Sequence, residues 1–130
     1  MTATGPFNVK LEPQAMPAEY PMLGRLTINK VFQGDLAATS VGQMLSARTA
    51  IPNSAGYVAI EQVTGSLHGR EGTFVLQHSS SMVRGEPQQS VTVVADSGTG
   101  ALEGLTGSMV INNAASQHSY VFEYDLPEKM

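Results

Sequence analysis

Cysteine and tryptophan are absent from this chain, and charged residues make up only 14% of it. Without cysteine there is no disulfide and no thiolate metal site, which suits a reducing compartment. No window reaches the ~18 apolar residues of a membrane-spanning helix. The opening MTATGPFNVKLEPQ has no charged start running into an apolar signal segment, so a cytoplasmic protein is expected. Seven basic residues stand against eleven acidic ones with no Lys/Arg cluster, which argues against nucleic acid and anionic membranes as partners. An amphipathic helix longer than a turn or two is also missing.

What is present is punctuation. Thirteen glycines and seven prolines interrupt runs of Val, Thr and Ser, a pattern of many short strands. At 130 residues the chain is one domain, 1–130, able to bury at most roughly two-thirds of its extended surface.

The stretch from Gly56 to Met82 reads as a complete β-hairpin. Gly69-Arg70 suits a type II′ turn with glycine first. That turn sets Leu67 opposite Gly72, Gly65 opposite Phe74, Val63 opposite Leu76 and Glu61 opposite His78. Period-two alternation puts Tyr57, Ala59, Glu61, Val63 and Leu67 on one face with Phe74, Leu76, His78, Ser80 and Met82. Gln62, Thr64, Ser66, Thr73, Gln77 and Ser79 form a wet opposite face, so Glu61 and His78 are expected inside. Phe74 would cover Gly65.

Elsewhere, Thr4 to Glu12 alternates as a half-buried strand, and Pro13 to Met22, with three prolines, is an extended connection. Leu26, Ile28, Lys30 and Phe32 share a face. An inward Lys30 would serve a buried carboxylate or a ligand; at a strand end it would snorkel to water instead. After Gly34-Asp35, the small inward residues Ala38, Ser40 and Gly42 leave space for a ligand or offset bulky neighbours. Ser90 to Ala95 is a further strand. The glycine-rich DSGTGALEGLTG, Asp96 to Gly107, lacks the G-K-S/T of a phosphate loop and reads as a turn with a short helical piece near Leu102. Leu105, Gly107, Met109 and Ile111 alternate. A loop centred on Ala114-Ala115 sets Ile111 opposite His118, Met109 opposite Tyr120 and Gly107 opposite Phe122, again an aromatic over a glycine. The fold expected is all-β, a closed antiparallel barrel of eight strands, which removes sheet edges and is wide enough to fill or to hold one small ligand.

GYVAIEQVTGSLHGREGTFVLQH, SVTVVADSGTGALEGLTG and HSYVFEYDL together resemble a family of small, uncharacterised bacterial proteins with an allene oxide cyclase-like barrel. The G-T-G-x-L-x-G-L-x-G spacing carries the likeness, which spans about Gly24 to Leu126. It implies that barrel and a homo-oligomer. It implies no reaction, because fold alone does not transfer chemistry.

Glu61 and His78 are the candidate catalytic pair, since a carboxylate beside an imidazole sets its tautomer and raises its basicity. The alternative is a buried pair that fixes strand register. Lys30, Tyr57, Phe74, Ser80, Tyr120 and Tyr124 are candidate ligand contacts, although aromatics at period two commonly fill cores. His68, His78 and His118 lack the spacing of a metal site, and no cofactor is expected. The serines beside His78 lack a nucleophile elbow. Two functions follow: a barrel that binds a small hydrophobic metabolite, or a cofactor-free isomerase, cyclase or lyase in which Glu61 and His78 move a proton. A fully packed interior would exclude both.

Overall fold

The computed structural model describes residues 1–114 and 117–127. Eight strands, β1 (Thr2–Gln14), β2 (Leu23–Phe32), β3 (Leu36–Arg48), β4 (Ala55–Leu67), β5 (Arg70–Val83), β6 (Glu86–Val93), β7 (Thr106–Ala114) and β8 (Gln117–Asp125), follow one another around a closed barrel. Every neighbouring pair is antiparallel, β1 closing on β8. The only helix among the described residues is one 3₁₀ turn, Gly100–Leu102, so none is long and apolar enough to cross a membrane.

The alternation expected from sequence sets the inward faces. Ile28, Lys30 and Phe32 are buried on β2, Leu36, Ala38 and Ser40 on β3, and Ala59, Glu61 and Val63 on β4. Phe74, Leu76 and His78 on β5 join Tyr120, Phe122 and Tyr124 on β8.

The hairpin registers differ from expectation by two residues. The β4–β5 turn is His68-Gly69, both with positive φ (47° and 81°), so Leu67 pairs with Arg70, Val63 with Phe74, Glu61 with Leu76 and Ala59 with His78. That is the type I′ geometry, whose twist matches the strands. Arg84-Gly85 repeats it between β5 and β6 (49° and 93°). His68 tolerates the left-handed region because its backbone N–H donates to the Asp35 carbonyl (2.9 Å) and its Nδ1 bonds the Tyr124 hydroxyl. Gly65 is therefore overlaid by Ala38 of β3, not by Phe74. On β7–β8, Ile111 pairs with Tyr120, Met109 with Phe122 and Gly107 with Tyr124. The Phe122 ring still lies against Gly107 from the diagonal position. The Ala115-Ser116 part of that loop lies outside the described residues. An even slip leaves each side chain on its face, which is why burial agrees where pairing does not.

One end of the barrel is plugged. Residues 94–105 leave β6 and cross this end, tied to the stretch of β5 that β6 does not cover. Thr99 N–H donates to Thr73 O (2.8 Å), Thr73 N–H to Thr99 Oγ1 (3.1 Å) and Val75 N–H to Ser97 Oγ (3.0 Å). Leu102 and Leu105 are thereby driven in among Leu36, Leu67, Phe74, Phe122 and Tyr124. The approach is close enough that a Cβ on Gly72 would sit 2.0 Å from Thr99 O. Tyr120 completes the seal, accepting from Leu36 N–H (2.8 Å) and donating to Gln33 O (2.7 Å). At the seam, β6 and β7 share among the described residues only the pair Thr92 with Ser108.

Candidate functional site

Between the plugged end and the open end lies a polar layer on one wall. Lys30, Ser40, Glu61 and His78, one from each of β2 to β5, are the buried polar residues of the core. The Glu61 side chain is the hub, with no solvent exposure. Its Oε2 accepts from Lys30 Nζ (2.8 Å) and His78 Nε2 (2.5 Å), and its Oε1 accepts from Ser40 Oγ (2.7 Å). Lys30 and Glu61 sit two strands apart, and small residues on β3 let them meet. A Cβ on Gly42, which pairs with Glu61, would fall 2.7 Å from the Cα and Cβ of Glu61. The small set Ala38, Ser40 and Gly42 therefore offsets and partners bulkier groups and lines no interior cavity. Lys30 Nζ also lies over the rings of Phe7 and Phe32, 5.2 and 5.8 Å from their centroids, a favourable setting for a cation.

Burial alone would raise the pKa of Glu61. The hydrogen bond from His78 and the charge of Lys30 outweigh it and hold the carboxyl at about 2, against an ordinary 4.5. Glu61 is thus a carboxylate at working pH and can only accept hydrogen bonds. With a carboxylate as its partner, His78 donates through Nε2, so that whenever the ring is neutral its unprotonated nitrogen is Nδ1. Among the described residues no enclosed side-chain nitrogen or oxygen lacks a partner. Nδ1 makes no bond to the described residues and so is not enclosed, and His78 borders the barrel cavity.

That cavity measures about 270 Å³ and takes residues from all eight strands. Phe7, Ile28, Lys30, Ala59 and His78 form its buried floor, and Leu11, Met44, Tyr57, Gln89, Ile111 and His118 its half-buried or exposed rim. It is mostly apolar, with its buried polar groups converging at the floor, the usual composition of a small-ligand site. Gln89 on β6 and Ile111 on β7 flank the sparsely paired seam.

Of the residues singled out from sequence, Lys30, Tyr57 and His78 border the cavity, whereas Glu61 stands behind them as the acceptor that orients both. Glu61 and His78 meet from diagonal, not opposed, positions. Phe74, Tyr120 and Tyr124 belong to the packed end, where burial pushes both tyrosine hydroxyls above their ordinary pKa of 10.0. Ser80 pairs with Tyr57 on the upper wall, outside the cavity lining. Sequence reasoning missed Phe7, Ile28, Gln89 and Ile111 as cavity residues. The inward phase of Phe7, Ile28 and Ile111 was readable, whereas Gln89 precedes the strand expected from Ser90, and which end stays hollow was not readable. No cluster of three or more His, Cys, Asp or Glu able to hold a metal occurs among the described residues.

No curated protein matches the chain. The crystal structure of a protein of unknown function from the DUF3224 family of Shewanella oneidensis MR-1 is similar, with a TM-score of 0.94 and 46% identity over 99% of this chain and 98% of that one. A family profile described as protein of unknown function (DUF3224) matches residues 3–124, and with that coverage the chain belongs to the DUF3224 family.

Proposed function

We propose that the barrel binds a small, largely apolar molecule through its open end, with the ligand's single polar head seated against Lys30 and His78. The observation that carries this reading is the floor of the cavity. Two buried nitrogen groups converge there beneath apolar walls, and Glu61 holds both in place. Because the Lys30 charge is already balanced by Glu61, the head it favours is a neutral oxygen acceptor, not a second carboxylate. The volume of about 270 Å³ suits a compact ligand and is below the usual range for drug-sized ones. Matched probes test this. Cyclohexanone should perturb the NMR signals of Ile28, Ala59 and Ile111 at lower concentration than cyclohexane does, and Lys30→Met should remove the difference. Equal binding of the two probes, or binding elsewhere, would sink the reading.

A second reading, cofactor-free isomerase, cyclase or lyase chemistry with Glu61 and His78 handling a proton, is favoured by the Nδ1 of His78, which has no partner among the described residues. Self-association belongs to the same proposal. The outer wall of β3 and β4 exposes Val41, Leu45, Val58 and Ile60 along a groove whose one charged lining residue is Arg25. Such a charge-poor apolar strip with a polar rim has the anatomy of an interface between copies. Analytical ultracentrifugation of wild type and Val41→Glu checks it: a monomer at all concentrations would remove self-association from the proposal.

A further inference from the structure

The floor of the cavity holds one base and one hydrogen-bond donor at neighbouring positions. Lys30 Nζ and His78 Nε2 bond the same Glu61 oxygen, at 2.8 and 2.5 Å, so the ammonium lies beside the imidazole. Lys30 spends one N–H on Glu61, and no other hydrogen bond from Nζ to the described residues is formed. Two N–H groups remain for the cavity that Lys30 borders. His78 borders the same cavity, and its Nδ1 has no partner among the described residues. The walls around them, Phe7, Val9, Ile28 and Ile111, are apolar. They would press a carbon skeleton, not a polar group, against the base. A base aimed at carbon with a cationic donor alongside is the apparatus for removing a proton next to a carbonyl.

Building on the binding reading, we infer that this site isomerises β,γ-unsaturated ketones of compact size into their conjugated α,β-unsaturated isomers. The carbonyl oxygen accepts a hydrogen bond from Lys30. His78 Nδ1 removes a proton from the carbon lying between carbonyl and alkene. The C–H electron pair becomes a new π bond to the carbonyl carbon, and the carbonyl π pair moves onto oxygen, where the Lys30 ammonium stabilises the dienolate without giving up its proton. The imidazolium then returns the same proton to the far alkene carbon, and the double bond ends in conjugation. Atoms and electrons balance within substrate and imidazole, and no co-reactant is consumed. His78 and Lys30 are the catalytic residues. Glu61 is a positioning residue: it keeps the proton on Nε2 and so keeps Nδ1 basic.

Cyclohex-3-en-1-one is the probe, followed by ultraviolet absorbance of the conjugated product and, in D₂O, by retention of the transferred hydrogen at the far alkene carbon in the NMR spectrum. The full chain should accelerate isomerisation about 10²–10⁴-fold over buffer. His78→Gln, which keeps a donor toward Glu61 but has no base, should abolish the acceleration. Lys30→Met should lower it about 10²-fold. Glu61→Gln should lower kcat with KM nearly unchanged, a split that a merely structural role would not give. If Lys30→Met fails to fold, the neutral double variant Lys30→Met, Glu61→Gln takes its place. Binding of the probe at the cavity without isomerisation would overturn the inference and leave the binding reading standing. No binding at all would overturn both, and undiminished turnover by His78→Gln would overturn the inference by itself.

Discussion

At the end of the barrel carrying the Gly34 and Gly69 turns, the inward ladders close on Leu36, Leu67, Phe74, Leu102, Leu105, Phe122 and Tyr124. At the opposite end the same strands carry inward Leu11, Met44, Tyr57, Gln89 and Ile111, which border a cavity of about 270 Å³. Inward-facing side chains line both ends, so alternation alone does not make the difference. It is made by residues 94–105, which cross one end only and insert two leucines there. A barrel of this size can be filled or left hollow, and here each half takes one option. The buried layer of Lys30, Ser40, Glu61 and His78 is the boundary, with dry packing below it and a ligand-sized space above it.

The largest break in this division should come from Glu61→Ala. It strands the buried Lys30 ammonium without a partner and should cost about 3–5 kcal/mol in urea unfolding. Phe122→Ala, at the packed end, should cost a similar or slightly smaller amount, about 3–4 kcal/mol, by leaving a cavity against Phe74 and Gly107. The two differ in ligand response: the Phe122 variant should bind cyclohexanone as wild type does, and altered affinity there would show that the two ends are not independent.

Acid sharpens the boundary further. The Glu61 pKa is depressed from 4.5 to about 2 in the folded state, so the unfolded chain takes up the proton first. The stabilisation is complete above 4.5 and is lost as pH falls toward 2. At 1.36 kcal/mol per unit it amounts to about 3 kcal/mol. Urea midpoints followed down to about pH 2 should fall more steeply for wild type than for Glu61→Gln. Gly42→Ala, which drives a Cβ to 2.3 Å from Ile60 O, should cost about 1–3 kcal/mol by pushing β3 away from β4. Met44→Ala, on the open rim, should cost about 1 kcal/mol or less, because the half-buried side chain has little packing to lose. It should also admit bulkier ketones, measured as a shift in probe preference.

The faces of the strands were legible because burial follows a period of two along β2 to β5 and β8. The pairs were not. His68-Gly69 and Gly69-Arg70 are both plausible two-residue links containing glycine, and the choice between types I′ and II′ moved Glu61 from opposite His78 to opposite Leu76. The even slip still allowed the two side chains to meet diagonally, so the candidate pair survived a wrong register. Lys30 as a partner of Glu61 was foreseen only as a general need of a buried ammonium. The reason it reaches that carboxylate, small residues on an intervening strand, is visible only with β3 in place.

Composition and alternation alone therefore determined an all-β barrel, most of its inward residues, and the presence of a carboxylate and an imidazole among them. Those properties are local, set by successive residues along each strand. Tertiary structure decided which end is solid, which nitrogen of His78 meets Glu61, and that Glu61 holds Lys30 and His78 from behind the cavity. Each of those depends on contacts between strands or loops far apart in the chain, Lys30 with Glu61 across β3 and Thr99 with Thr73 across the plugged end, whose distances no single strand encodes.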